Sequence, residues 1–186
     1  MVGWFSLTGP DNDSHMCGSA DRLHPEVRGV PICNVCGYKT DPFFVDPEFR
    51  LKHSTYDFSY TYDGYAIVSD RFRAVVEDRG LSGADYVTLP RAPGFYVLVP
   101  NSMVEFDAAR RKTRFESWCP ACQHYGSIAG ATPAFLKELP QSDFSRTDVE
   151  FGSGNERHYM VVVSERTKEA LEDADISGPE FRAVAA

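Results

Sequence analysis

The stretch IVSDRFRAVVEDRGLSGADYV, residues 67–87, aligns without gaps on VVSERTKEALEDADISGPEFR, residues 162–182. Val68/Val163, Ser69/Ser164, Arg71/Arg166, Glu77/Glu172, Asp78/Asp173, Ser82/Ser177 and Gly83/Gly178 are identical. Asp70/Glu165, Arg73/Lys168, Leu81/Ile176, Asp85/Glu180 and Tyr86/Phe181 agree in kind. In each copy β-branched residues, Ile67-Val68 or Val161-Val162-Val163, predict a short buried strand. Ser69 and Ser164 then suit the helix N-cap, and the acid after each complements the positive end of the helix dipole. Phe72, Val75 and Val76 in one copy, and Thr167, Ala170, Leu171 and Ala174 in the other, recur at helical spacing and predict one buried face. Gly80 is placed to stop the first helix, and each Ser-Gly turns the chain into a second strand, Ala84 to Thr88 and Glu180 to Val184.

Outward from these units, extended stretches are expected at Tyr56 to Tyr62, Phe95 to Val99, Met103 to Phe106, Thr113 to Trp118 and Phe144 to Phe151. The fold class is therefore α+β: antiparallel or mixed sheets, two repeated strand-helix-strand units and a four-cysteine zinc-knuckle site. Tyr56, Phe58, Tyr60 and Tyr62 alternate with Asp57, Ser59, Thr61 and Asp63, which places four rings on one face. A core or sheet face is the plain reading, and a partner-binding or base-stacking platform the functional one.

A chain of 186 residues is long enough to bury a core without disulfides. One domain over residues 1–186 is expected, with pseudo-repeated halves at about 28–100 and 113–186 joined by one zinc site as the finer division. Hydrophobic content of 42% sets the chain apart from disordered sequences. The formal charge of -8, with no dense basic block, would repel a phosphate backbone, so nucleic-acid binding is disfavoured. The opening residues lack a basic segment followed by an apolar one, and no apolar run is long enough to span a bilayer, so a cytoplasmic protein is expected.

Four of the five cysteines fall in two pairs, Cys33-Asn-Val-Cys36-Gly37 and Cys119-Pro-Ala-Cys122-Gln123. In a reducing compartment such pairs bind metal more often than they form disulfides. Two intervening residues let a tight turn aim both thiolates at one ion, and four thiolates complete a tetrahedral shell. Gly37 supplies the left-handed backbone that follows such a turn. A shell filled by Cys33, Cys36, Cys119 and Cys122 has no open position, so the expected ion is a structural Zn2+ and not a catalytic one. Its closure ties the amino-terminal segment to the middle of the chain across about 82 residues. A redox dithiol and inert thiols are the alternatives, and Cys17 reads as a free thiol.

His15, His24, His53, His124 and His158 form no metal-binding spacing, and His124 lies too close to Cys122 to be a separate ligand. No catalytic residue stands out: nucleophile-elbow, phosphate-loop and dinucleotide patterns are all missing. Gly152-Ser153-Gly154-Asn155 reads as a flexible turn, and Arg110-Arg111-Lys112 as a solvated turn between strands.

CPAC, followed by VVVSERTKEALEDADISGPEFRAV, resembles the double-CxxCG motif immunity proteins of myxobacteria and other bacteria with polymorphic toxins. The likeness lies in motif order: a second cysteine pair, a hydrophobic strand, the helix start Ser164-Glu165-Arg166 and the final Gly178-Pro179-Glu180-Phe181. Gln123 departs from it, standing where that family places glycine. The resemblance implies a non-enzymatic cytosolic protein that binds and neutralises a cognate toxin. Asp57, Asp63, Asp143, Asp148 and Glu150, near expected strand or loop edges, are the candidate acidic contacts. A zinc-ribbon-like module binding nucleic acid or a transcription component, and an unrecognised hydrolase or transferase, are the alternatives.

Overall fold

The computed structural model of the chain describes residues 3–185. In chain order the first elements are β1 (Trp4–Thr8), β2 (Gly18–Ser19), β3 (Arg22–Leu23), β4 (Phe58–Tyr60), β5 (Ala66–Ser69), α1 (Asp70–Asp78), β6 (Ala84–Thr88), β7 (Phe95–Pro100) and β8 (Met103–Val104). There follow α2 (Ala108–Arg111), β9 (Arg114–Cys119), β10 (His124–Ala129), β11 (Phe144–Ser153), a 3-10 turn (Gly154–Glu156), β12 (His158–Ser164), α3 (Glu165–Asp173) and β13 (Glu180–Ala183). The chain is thus sheet-rich with few helices. One antiparallel sheet runs β4-β5-β7-β6. A seven-stranded sheet runs β13-β1-β12-β11-β10-β9, with β8 joined parallel to β11, and a small sheet pairs β2 with β3.

Helices α1 and α3 start where the serines place them. Ser69 and Ser164 keep extended backbone, and each Oγ accepts from the backbone N–H three residues on, at 3.2 Å. The helical spacing then buries Phe72 and Val76 on α1, and Thr167, Ala170 and Leu171 on α3. Phe72, Val76, Ala170 and Leu171 meet Leu7, Phe58, Val68, Leu98, Phe144 and Val163 in one core fed by both large sheets. Each such fully buried apolar side chain contributes roughly 1.5–3 kcal/mol relative to exposure.

Two aspartates brace the helix starts from outside the aligned stretches. The Asp57 backbone carbonyl accepts from Ser69 N at 2.9 Å and its carboxylate from Ser69 Oγ at 2.7 Å, and the Asp143 carbonyl and carboxylate accept in the same way from Ser164 N at 3.0 Å and Ser164 Oγ at 2.7 Å. Each carboxylate also reaches the turn beyond the other helix. Asp57 Oδ2 accepts from Ser177 N and Oγ at 3.1 and 2.9 Å, and Asp143 Oδ2 from Ser82 N and Oγ at 2.9 and 3.1 Å. Arg71 bridges Asp57 to the Ala174 carbonyl, and Arg166 bridges Asp143 to the Arg79 carbonyl. Gly83 and Gly178 pass so close that an added Cβ would lie 2.2 Å from the Phe144 carbonyl oxygen and 2.0 Å from that of Phe58. Only glycine fits at either place. The strand orders β4-β5-β7-β6 and β11-β12-β1-β13 also run alike.

Several expectations are corrected. The Tyr56 to Tyr62 stretch is a strand only at Phe58–Tyr60; Phe58 is buried, whereas Tyr56 and Tyr62 are 40% and 45% exposed. The alternation fails because the polar partners have buried work. Thr61 Oγ1 accepts from Tyr65 N, and the Asp63 carboxylate gathers the N–H groups of Met16, Cys17 and Gly18. Arg110-Arg111-Lys112 ends a short helix capped by Asp107, with Lys112 left-handed at its close. Besides the short β2 and β3, two longer strands fall outside the expected stretches: His124–Ala129, whose central Gly126 blurs its pattern, and Trp4–Thr8, which lies outside both expected halves yet sits between β12 and β13.

Candidate metal centre

The first cysteine pair lies in a loop pinched by an Ile32↔Lys39 bridge, where Cys33 N donates to the Tyr38 carbonyl at 3.0 Å. The second pair forms the turn of the β9–β10 hairpin, since Cys119 closes β9 and pairs in register with His124 at the start of β10. The two turns share their geometry. Gly37 N donates to Cys33 O at 2.9 Å with φ 76°, and Gln123 N donates to Cys119 O at 2.8 Å with φ 58°. Gln123 therefore adopts the left-handed conformation that glycine supplies in the first turn.

These turns bring all four sulfurs together. Cys33 Sγ lies 3.8 Å from Cys119 Sγ and Cys36 Sγ 3.7 Å from Cys122 Sγ, and all four lie within 4.8 Å of one another. A tetrahedral ion with bonds of about 2.3 Å to sulfur requires sulfur separations of about 3.8 Å. The residues therefore fit a four-thiolate ion, and they can hold one without a ligand from solvent. The sulfurs are too far apart to be disulfide-bonded, which leaves the cysteines free.

The thiols are electrostatically unequal. The backbone N–H groups of Cys36 and Val35 aimed at Cys33 draw its thiol down to about 6, and the N–H of Cys122 likewise lowers Cys119. Burial raises Cys36 and pushes Cys122 up to about 12. His124 turns Nδ1 onto the Cys122 carbonyl at 2.6 Å, so it braces the turn. Cys17 is remote from the cluster and fully buried, 3.4 Å from the Tyr65 hydroxyl, and burial pushes its thiol up to about 11.

The first turn is anchored by residues whose importance has no sequence signal. Asn155 Oδ1 accepts from Lys39 N at 2.8 Å, while Asn155 N donates to the Ala20 carbonyl at 3.0 Å. The glycine-rich segment is thus a buried fastening and not a flexible turn; a Cβ on Gly154 would lie 2.0 Å from the Ala20 oxygen. Lys39 is itself buried, its Nζ 4.4 Å above the Tyr65 ring, and desolvation lowers its pKa. Arg157, also buried, donates from Nε to Gly154 O at 2.9 Å and faces Glu150 at 3.9 Å.

Those partners remove most of the expected acidic contacts. Asp63 is fully buried under three N–H donors, Glu150 is buried against Arg157, and Asp57 and Asp143 are consumed by the helix starts. Asp148 alone stays exposed, with Oδ1 accepting from Phe106 N at 2.8 Å. The five histidines do not gather at one place, and only His15 and His24 touch each other. His15 stacks edge-on with His24, His53 meets Asp13 at 3.1 Å, and His158 is held below its ordinary range by burial.

No protein-family model matches this chain, and no curated protein is significantly similar to it. Among the described residues, no helix is long and apolar enough to cross a membrane.

Proposed function

We propose that this chain is a non-enzymatic immunity protein, stabilised by a structural Zn2+, that binds and neutralises a cognate bacterial toxin in the cytoplasm. The observation that carries this reading is the convergence of Cys33, Cys36, Cys119 and Cys122 into a closed four-sulfur cluster built from two like turns. Closed thiolate shells fasten folds and leave no position for substrate. Gln123 supports the resemblance despite its identity, because its backbone makes the turn that glycine makes at position 37.

The reading also takes the two strand-helix-strand units as copies of one ancestral unit. Asp57-Phe58-Ser59-Tyr60-Thr61 and Asp143-Phe144-Ser145-Arg146-Thr147 extend the echo beyond the aligned stretches. They occupy corresponding places, each aspartate serving its own helix start and the opposite turn. In this scheme β1 completes the second copy as β7 completes the first.

The test has two arms. Elemental analysis of the native protein should give about one zinc per chain; iron would overturn the choice of ion, and no metal would overturn the staple. Expression in a toxin-sensitive host should rescue growth when the cognate toxin from the same locus is present. Failure to rescue and failure to co-purify with that toxin would overturn the immunity role.

A further inference from the structure

β9 is the edge strand of the seven-stranded sheet, and all but Cys119 of its residues are exposed. Phe115 and Trp118 are 38% and 51% exposed, an unusual outlay of aromatic surface for an edge strand. Both rings lean on Tyr125 of β10, with centroids at 5.1 and 4.8 Å. Together with Ile128, Tyr159 and Asp148 they line an open hollow of about 280 Å3. We propose that this hollow is the docking surface for the protein partner and receives a basic side chain, arginine or lysine, from it. The proposal deepens the immunity reading and rests on it.

Three observations choose that occupant. The exposed Asp148 carboxylate borders the hollow in a chain whose formal charge is -8, while the Arg157 guanidinium that also lines it is buried and faces the Glu150 carboxylate at 3.9 Å, which leaves Asp148 as the exposed charge. The basic residues of the hairpin lie away from its turn: Arg114 pairs with Ala129 at the far end, and Arg111 lies beside Gly130. Aromatic faces attract guanidinium and ammonium groups, and this fold already uses such pairing at Tyr159, where the Arg146 guanidinium carbon lies 4.4 Å from the ring centroid. Backbone addition of a partner strand is disfavoured, because Ser117 stands left-handed at φ 59° and interrupts the regular edge. Recognition therefore falls to side chains, and the aromatic-arginine chemistry matches that of interface hot spots. The cysteine turn has a part in this: it closes the hairpin that carries the rings, so a bound ion would hold the docking surface in shape.

The test uses the metal-loaded full chain and a hexa-arginine peptide as probe, with affinity read by calorimetry. Trp118→Ala and Asp148→Asn should each weaken binding roughly tenfold while metal content and melting stay unchanged. Asn at 148 can still accept from Phe106 N, and Trp118 is already half exposed, so neither change threatens the fold. Glu169→Gln, which removes an exposed charge elsewhere, should leave affinity unchanged. Equal affinity in all variants would overturn the proposal, as would a wild-type dimer that dissociates on Trp118→Ala, which would make this face a self-contact. In a toxin challenge, full protection by Trp118→Ala would overturn the surface and leave the immunity role intact. Binding of the probe through Trp118 without protection by the wild type would overturn the role and leave the surface.

Discussion

At residue scale, Gly37 and Gln123 isolate what a left-handed backbone costs a side chain. An added Cβ at Gly37 would meet nothing within 4 Å, so Gly37→Ala should cost only the backbone penalty, about 1 kcal/mol. Gln123→Gly should run the other way, stabilising by about 0.5–1 kcal/mol after the greater freedom of glycine in the unfolded chain is deducted. Urea midpoints of the metal-loaded variants check both signs. The bracing aspartates make a second case. Burial alone would raise Asp57 and Asp143, but the N–H and hydroxyl donors of Ser177 and Ser69 on one, and of Ser82 and Ser164 on the other, outweigh it and hold both below the usual range. A depressed folded pKa gives stability that is full above the unfolded value, about 3.9, and drains away as pH falls through the folded one. An Asp57→Asn/Asp143→Asn variant should therefore be less stable at neutral pH and show a flatter acid limb between about pH 4 and pH 2. An acid limb as steep as that of the wild type would refute the assignment.

At element scale, the helix starts and the cysteine turns make separate predictions. Ser69 and Ser164 each accept from the helix and donate to an aspartate, so Ser→Ala at either should cost about 1 kcal/mol for the cap, and more for the orphaned carboxylate contact. Thermal melts of the single variants measure this. Metal removal by a chelator, or Cys36→Ser, should lower the melting temperature sharply, because the thiolates join the loop before β4 to the β9–β10 hairpin. Unchanged melting in both would mean that the hydrogen bonds through Asn155 hold the loop unaided.

At the scale of the whole molecule, neither half closes by itself. The turn after α1 feeds its Ser82 carbonyl to Phe144 N, and the turn after α3 feeds its Ser177 carbonyl to Phe58 N. Strand β1, from the other end of the chain, pairs in register with both β12 and β13 and puts Leu7 into the shared core. Separate fragments spanning 28–100 and 113–186 should accordingly be unfolded by circular dichroism. A chain lacking residues 1–9 should fail to fold even with zinc present. A folded, soluble fragment of either kind would contradict this interlocked arrangement.

The units at 67–87 and 162–182 were legible as strand, helix and strand because their signals are local: β-branched runs, a serine cap followed by an acid, and apolar residues at helical spacing. The cysteine cluster was legible for a like reason, since two thiols two residues apart already imply a turn, and four imply one ion. The sequence by itself thus determined helices α1 and α3, most of their buried faces and the four cysteines that come together. Tertiary structure decided which strands sit side by side, that β1 crosses to the far end of the chain, and that Asp57, Asp63, Asp143 and Glu150 face inward. Asp57, Asp63 and Asp143 meet turns more than forty residues away and Glu150 meets Arg157 across the turn into β12, and a carboxylate beside a strand carries no local mark of which donors folding will supply.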